Sequence, residues 1–85
     1  MYKITFKKRA GKELRNLPSP VLKRVVNSIE HLAENPRPEG SKKLKGIDEN
    51  IWRIRVGDYR IIYLIEDNIQ VIEIRKIGHR KDVYL

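Results

Sequence analysis

The sequence predicts an α+β fold: an N-terminal strand and a two-helix hairpin packed on one face of an antiparallel β-sheet. Three observations predict it. Between residues 6 and 33 apolar side chains recur at helical spacing. From Ile51 onward they alternate with charged ones, as strands do. Between the two stretches lies a connection, residues 36–50, rich in Pro, Gly and Lys and almost without period.

Each element follows from local chemistry. Tyr2 to Phe6 alternate like a strand. Phe6, Ala10, Leu14 and Leu17 then predict a first helix over about 7–16, weakened at Gly11 by about 1 kcal/mol relative to Ala and ended by Pro18. Ser19 as N-cap and Pro20 at the first helical position predict a restart. Leu22, Val25, Val26, Ile29, Leu32 and Ala33 form its apolar stripe. Pro36 disfavours helix in the residue before it, so the helix should stop near Asn35. Strands follow at 51–56, 59–65 and 69–77, with turns at Gly57-Asp58 and Glu66-Asp67-Asn68. Residues 36–50 are long for a loop in so small a chain, which makes them a functional candidate.

The chain has 85 residues, which predicts one domain over 1–85. It has no cysteine, so neither disulfides nor a thiolate zinc site can hold it together. It has neither a D-x-D nor an H-x-x-x-H pair, and its two histidines, His31 and His79, lie far apart, so no metal or cofactor is expected. No apolar run approaches the ~20 residues that span a bilayer, and no signal-peptide pattern opens the chain. The expectation is a soluble cytoplasmic protein. Its net charge of +8 suits a polyanionic partner.

Strand period places the charges. With Trp52, Ile54 and Val56 toward the helices, Arg53 and Arg55 face the other way. If Tyr59, Ile61 and Tyr63 also face the helices, Arg60 joins them, because an unpaired guanidinium in the core would be costly. Three arginines on one face are solvated, paired with Glu73 or Asp58, or held for an anion. Arg75, Lys76, Arg80 and Lys81 follow with His79 and Tyr84, and Gly78 permits a bend toward that face. Arginines beside an aromatic ring suit single-stranded RNA. Cleavage by the ribose 2′-OH needs a base, cations for the phosphorus oxygens and an acid for the leaving 5′ oxygen. Arginines suit the middle role. Tyr84 and His79 are the candidates for proton transfer.

Two segments, W-R-I-R-V-G-D-Y-R-I-I-Y at 52–63 and I-G-H-R-K-D-V-Y at 77–84, together resemble the RelE/ParE toxin superfamily of type II toxin–antitoxin systems. Lys43-Leu44-Lys45-Gly46 and the strand–helix–helix–meander order fit the same pattern. The resemblance implies a fold like that of microbial ribonucleases and a toxin that cuts mRNA in the ribosomal A site without metal. The implied partners are the ribosome, the mRNA and a RelB-like antitoxin. By motif position the implied catalytic groups are Arg53, Arg55, Arg60, Arg80 and Tyr84, with His79 a further candidate. Lys43, Lys45, Arg75 and Lys81 are expected to hold substrate. The best-known RelE pattern has lysine where Arg53 and Arg55 stand, and an arginine practically cannot serve as a base. Two other functions share parts of this pattern: a ParE-like poison of DNA gyrase, and a non-catalytic basic module.

Overall fold

A computed structural model describes residues 1–46 and 48–81. The elements run β1 (Lys3–Phe6), α1 (Lys8–Arg15), α2 (Ser19–Glu34), β2 (Lys42–Lys43), β3 (Ile51–Val56), β4 (Tyr59–Glu66) and β5 (Val71–His79). The strands form one sheet in the order β1-β5-β4-β3-β2. The meander β3-β4-β5 is antiparallel, as its short turns require. β1 lies parallel to β5, because the two helices carry the chain across the sheet before the meander begins. β2 is an edge strand inside the stretch expected to be loop, and it pairs antiparallel with β3.

Helix α1 has no side-chain cap and an interior glycine, so it draws stability from packing rather than propensity. Helix α2 begins one residue earlier than expected. Pro18 is extended (φ −57°, ψ 144°) and takes the N-cap, and its carbonyl accepts the Leu22 amide at 2.8 Å. Val25, Ile29 and Leu32 of α2 and Ala10 of α1 pack on Ile54, Val56, Ile61, Tyr63, Ile65, Ile72, Ile74 and Ile77. Among the described residues, that one-sided core leaves the opposite sheet face free of helices. The second face carries a small apolar cluster of Ile51, Ile62 and Leu64, with Leu44 against it.

One bulge changes the phase of β5. Ile62 pairs with Lys76 while Tyr63 pairs with Ile74, so Arg75 is an extra residue on β5. The core residues accordingly step from Ile72 and Ile74 to Ile77, not to residue 76. β1 ends level with Ile74, and the next edge amide of β5 needs another acceptor. Glu13 of α1 supplies it: its carboxylate accepts the Ile77 N–H at 3.0 Å. Glu13→Ala would leave that part-buried amide without its acceptor. The expected cost is about 1–3 kcal/mol, read by denaturant unfolding. Glu13→Gln, which keeps an acceptor, should lose less.

The connection after α2 is tied down rather than loose. The Pro36 carbonyl accepts the Tyr63 hydroxyl at 2.7 Å. Arg37 donates to Asp67 at 2.7 and 3.4 Å, and its guanidinium sits 5.3 Å from the centre of the Trp52 rings. Tyr2 closes the same cluster with a 2.6 Å bond to Asp67. Arg37 and Tyr2 together hold the Asp67 carboxyl below its ordinary range. At the far end Asn50 accepts from the Trp52 indole at 2.7 Å and donates to the Ile65 carbonyl at 3.2 Å.

Candidate nucleic-acid interface

The face away from the helices is built in rows, because residues paired across antiparallel strands point the same way. One row runs Lys42, Arg53, Ile62, Lys76 across β2, β3, β4 and β5. The next runs Arg55, Arg60, Gly78. Arg53, Arg55 and Arg60 therefore share one face, and Arg55 stands directly opposite Arg60. Gly78 keeps the end of that second row clear of a side chain.

Like charges paired directly across strands destabilise a sheet. Burial lowers the affinity of the Arg53 guanidinium for its proton, and Arg60 and then Arg55 push the same way. Among the described residues none of the three has an acidic partner within ion-pair distance. Glu73, one partner the sequence allowed, is engaged by Arg75 at 2.9 Å. The Arg60 Nε is shielded from water and has no acceptor among the described residues. A cluster of this kind is poorly explained by stability. An arriving phosphate would relieve its repulsion.

Arg80 stays beside this end of the sheet. Its backbone amide donates at 2.8 Å to the Asp58 carbonyl in the β3–β4 turn. That turn is tight: Val56 pairs with Tyr59, leaving Gly57 and Asp58 between them. Gly57 has φ +61°, the sign that a two-residue hairpin turn of the II′ type requires at its first central position. The Arg24 guanidinium of α2 packs on it, 3.1 Å from where a Cβ would stand. Gly57→Ala would meet both backbone strain and Arg24. We expect a loss of about 1–2 kcal/mol, seen as a fall of roughly 5–10 °C in Tm.

Other expected residues lie elsewhere. His79 pairs with Tyr59, not with Arg60, so it stands on the helix-facing side. Its ring meets Tyr59 edge-on at 5.6 Å. Its Nδ1 accepts the Lys81 amide at 3.2 Å, which makes it a turn-former. Arg75 bonds Glu49 at 2.9 and 3.0 Å as well as Glu73, clasping residues 48–50 to β5. Its charge is already matched, which sets it apart from the free arginines. Lys43 pairs with Trp52 and so belongs to the other face of the edge strand from Arg53. Lys45 and Lys81 lie in exposed turns. Tyr84 lies outside the described residues. Sequence reasoning missed Lys42 and Arg24. Lys42 is on the arginine face only because β2 exists, and Arg24 is placed only by the packing of α2.

A protein-family model described as the ParE toxin of the type II toxin–antitoxin system parDE matches residues 4–84. Toxin RelE3 of Methanocaldococcus jannaschii is 38% identical over 86 residues, covering 96% of this chain and 94% of that protein. The mRNA interferase toxin RelE of Escherichia coli is 31% identical over 81 residues, covering 94% and 84%. Among solved structures, the RelE–RelB complex of Pyrococcus horikoshii OT3 superposes with a TM-score of 0.83 at 30% identity, covering 96% of this chain and 98% of that one. The intact RelBE toxin–antitoxin complex of E. coli gives 0.82 at 30% identity, covering 93% and 96%.

Proposed function

The chain belongs to the RelE/ParE family of type II toxins, and from that membership we propose that it is a RelE-like endoribonuclease that cuts mRNA on the ribosome and halts translation. The observation that carries this reading is the set Arg53, Arg55 and Arg60, grouped on one sheet face without acidic partners among the described residues. In the step we propose, the ribose 2′-OH attacks the adjacent phosphorus. The P–O bond to the 5′ oxygen breaks, leaving a 2′,3′-cyclic phosphate and a 5′-hydroxyl. The arginines hold the charge that grows on the non-bridging oxygens. Arg80, beside the β3–β4 turn, is assigned to the same phosphate. The 2′-OH gives up its proton as its oxygen bonds to phosphorus, and the departing 5′ oxygen takes one up; Tyr84 remains the side chain assigned to proton transfer. We leave His79 out of that role, because its pairing with Tyr59 puts it on the helix-facing side of the sheet.

The partners follow from the same reading. They are a RelB-like antitoxin, as in the complexes of the structural neighbours, and the ribosome with its mRNA. No described helix is long and apolar enough to cross a membrane. We place the protein in the cytoplasm, where ribosomes are, and read residues 1–85 as one toxin domain. The test is cell-free translation with purified protein, mapping cuts on translated mRNA. Cuts within codons that stop translation are expected. Intact mRNA and undiminished translation at micromolar protein would overturn the reading. The ParE description of the matching family model favours a second reading, inhibition of DNA gyrase. Loss of supercoiling activity with intact mRNA would establish that one instead.

A further inference from the structure

A cleft of about 490 Å³ opens at the outer edge of β3, between α2 and the segment before β2. Ser28 and His31 line it from α2, Gly40 from the connection, Lys42 from β2, and Ile54 and Arg55 from β3. Two of these residues, Lys42 and Arg55, belong to the rows of the cationic face. The cleft is therefore continuous with that face around the sheet edge.

Its walls offer what a nucleobase needs. Ile54 is buried and gives an apolar wall. The His31 Nδ1 lies 2.8 Å from the Asn27 carbonyl, one turn back in its helix. A carbonyl only accepts, so Nδ1 carries the proton and the ring is held; in the neutral ring Nε2 is then an acceptor, with no partner among the described residues. β2 pairs only with Trp52 and Arg53, so the outer edge of β3 has no strand partner from Ile54 on, among the described residues. The Ile51 carbonyl points outward to the Leu44 amide. By the period of two, the Arg55 N–H and C=O point outward as well. Those groups can read the hydrogen-bonding edge of a base. Glu39 also lines the cleft, which disfavours a phosphate inside it and suits an N–H donor. The volume falls within the ~300–1,000 Å³ range of small-ligand sites.

We propose that this cleft receives one base of the RNA, next to the nucleotide that is cut, and sets the sequence preference of cleavage at that position. Lys42 and Arg55 carry the backbone over the edge while the base turns inward against the His31 ring. The proposal rests on the ribonuclease reading above and adds a reader to it.

Two measurements test it. Ribosomes are programmed with mRNAs carrying each of the four bases at every position in and around the cut codon. Cleavage by the wild type is compared with His31→Ala, which removes the ring, and Ser28→Trp, which fills the cleft from a helix surface. The expected result is a change of about fivefold in the preference between bases, at one position only, from the loss of one contact. Identical profiles for the wild type and both folded variants would overturn the proposal. In the second measurement the isolated protein is titrated with a single-stranded RNA trinucleotide and with the same RNA lacking one base. Amide shifts at Ser28, His31 and Gly40 should require that base. Equal shifts with the abasic RNA, or shifts confined to the arginine face, would overturn it. A wild type that cuts nothing on ribosomes would instead defeat the ribonuclease reading, and the amide shifts alone would then decide whether the cleft holds a base.

Discussion

Arg60→Ala should lower mRNA cleavage on ribosomes by about two to three orders of magnitude while leaving Tm unchanged or slightly higher. The activity loss follows from placement: Arg60 stands on the central strand β4, opposite Arg55 and on the face of Arg53. Removing it takes a fixed cation from the middle of the group that would hold the phosphate. The stability effect follows from electrostatics. Arg60 contributes to the repulsion that disturbs Arg53, and its Nε lacks an acceptor among the described residues. A directly opposed like pair costs about 0.2–1 kcal/mol, so the variant is relieved of that cost. Lys8→Ala, on the exposed surface of α1, removes the same net charge and serves as control. Full activity in a folded Arg60→Ala protein would take Arg60 out of the site. An activity loss matched by a fall in Tm would make its role structural.

The fold was legible where one signal dominated. The stripe of Val25, Ile29 and Leu32 could only be a helix face, and the alternation of Ile54, Val56, Ile61 and Tyr63 could only be a half-buried sheet. What was not legible depended on partners distant in sequence. Lys42 and Lys43 form a strand because β3 offers them an edge, and two residues carry no period of their own. Pro18 takes the N-cap of α2 in place of Ser19, a shift that composition does not decide, since both residues suit a helix start.

The candidate site divides along the same line. Arg53, Arg55 and Arg60 follow strict alternation on β3 and β4, and strand period puts them on one face. Beyond the bulge at Arg75 that arithmetic fails for β5. Counting in twos from Ile72 and Ile74 would put Lys76 in the core and leave Ile77 outside, whereas the extra residue reverses both. The same shift carries His79 to the helix-facing side. A reader of the sequence could have seen it, since Ile72, Ile74 and Ile77 do not share a period of two. Arg75 differs again: its neutralisation by Glu49 depends on how residues 48–50 fold back over the sheet.

Tyr63 should be the most expensive side chain to remove. It is fully buried at the centre of β4 and is the largest of the completely enclosed core residues. Tyr63→Ala should cost about 3–5 kcal/mol, a large share of the roughly 5–15 kcal/mol that stabilises a domain, and leave the protein largely unfolded at 37 °C by circular dichroism. Tyr63→Phe separates the ring from its hydroxyl. It keeps the packing but deprives the Pro36 carbonyl of its 2.7 Å donor, for about 1 kcal/mol. The phenol also has a pH signature. Burial pushes its pKa up to about 12 from an ordinary 10.0. Between those values the unfolded chain releases the proton and the folded one keeps it. Stability is therefore full below pH 10 and falls as pH rises toward 12, by about 2 kcal/mol from this group. Tyr63→Phe should flatten that alkaline slope, leaving the smaller part due to Tyr2, whose bond to Asp67 also raises its pKa. An unchanged slope would mean that the Tyr63 hydroxyl is not buried as described. The hydroxyl also fixes Pro36, where the connection leaves α2, and that connection delivers Lys42 to its place opposite Arg53. Tyr63→Phe should therefore weaken RNA binding more than its small stability cost implies, through a side chain that never reaches the cationic face.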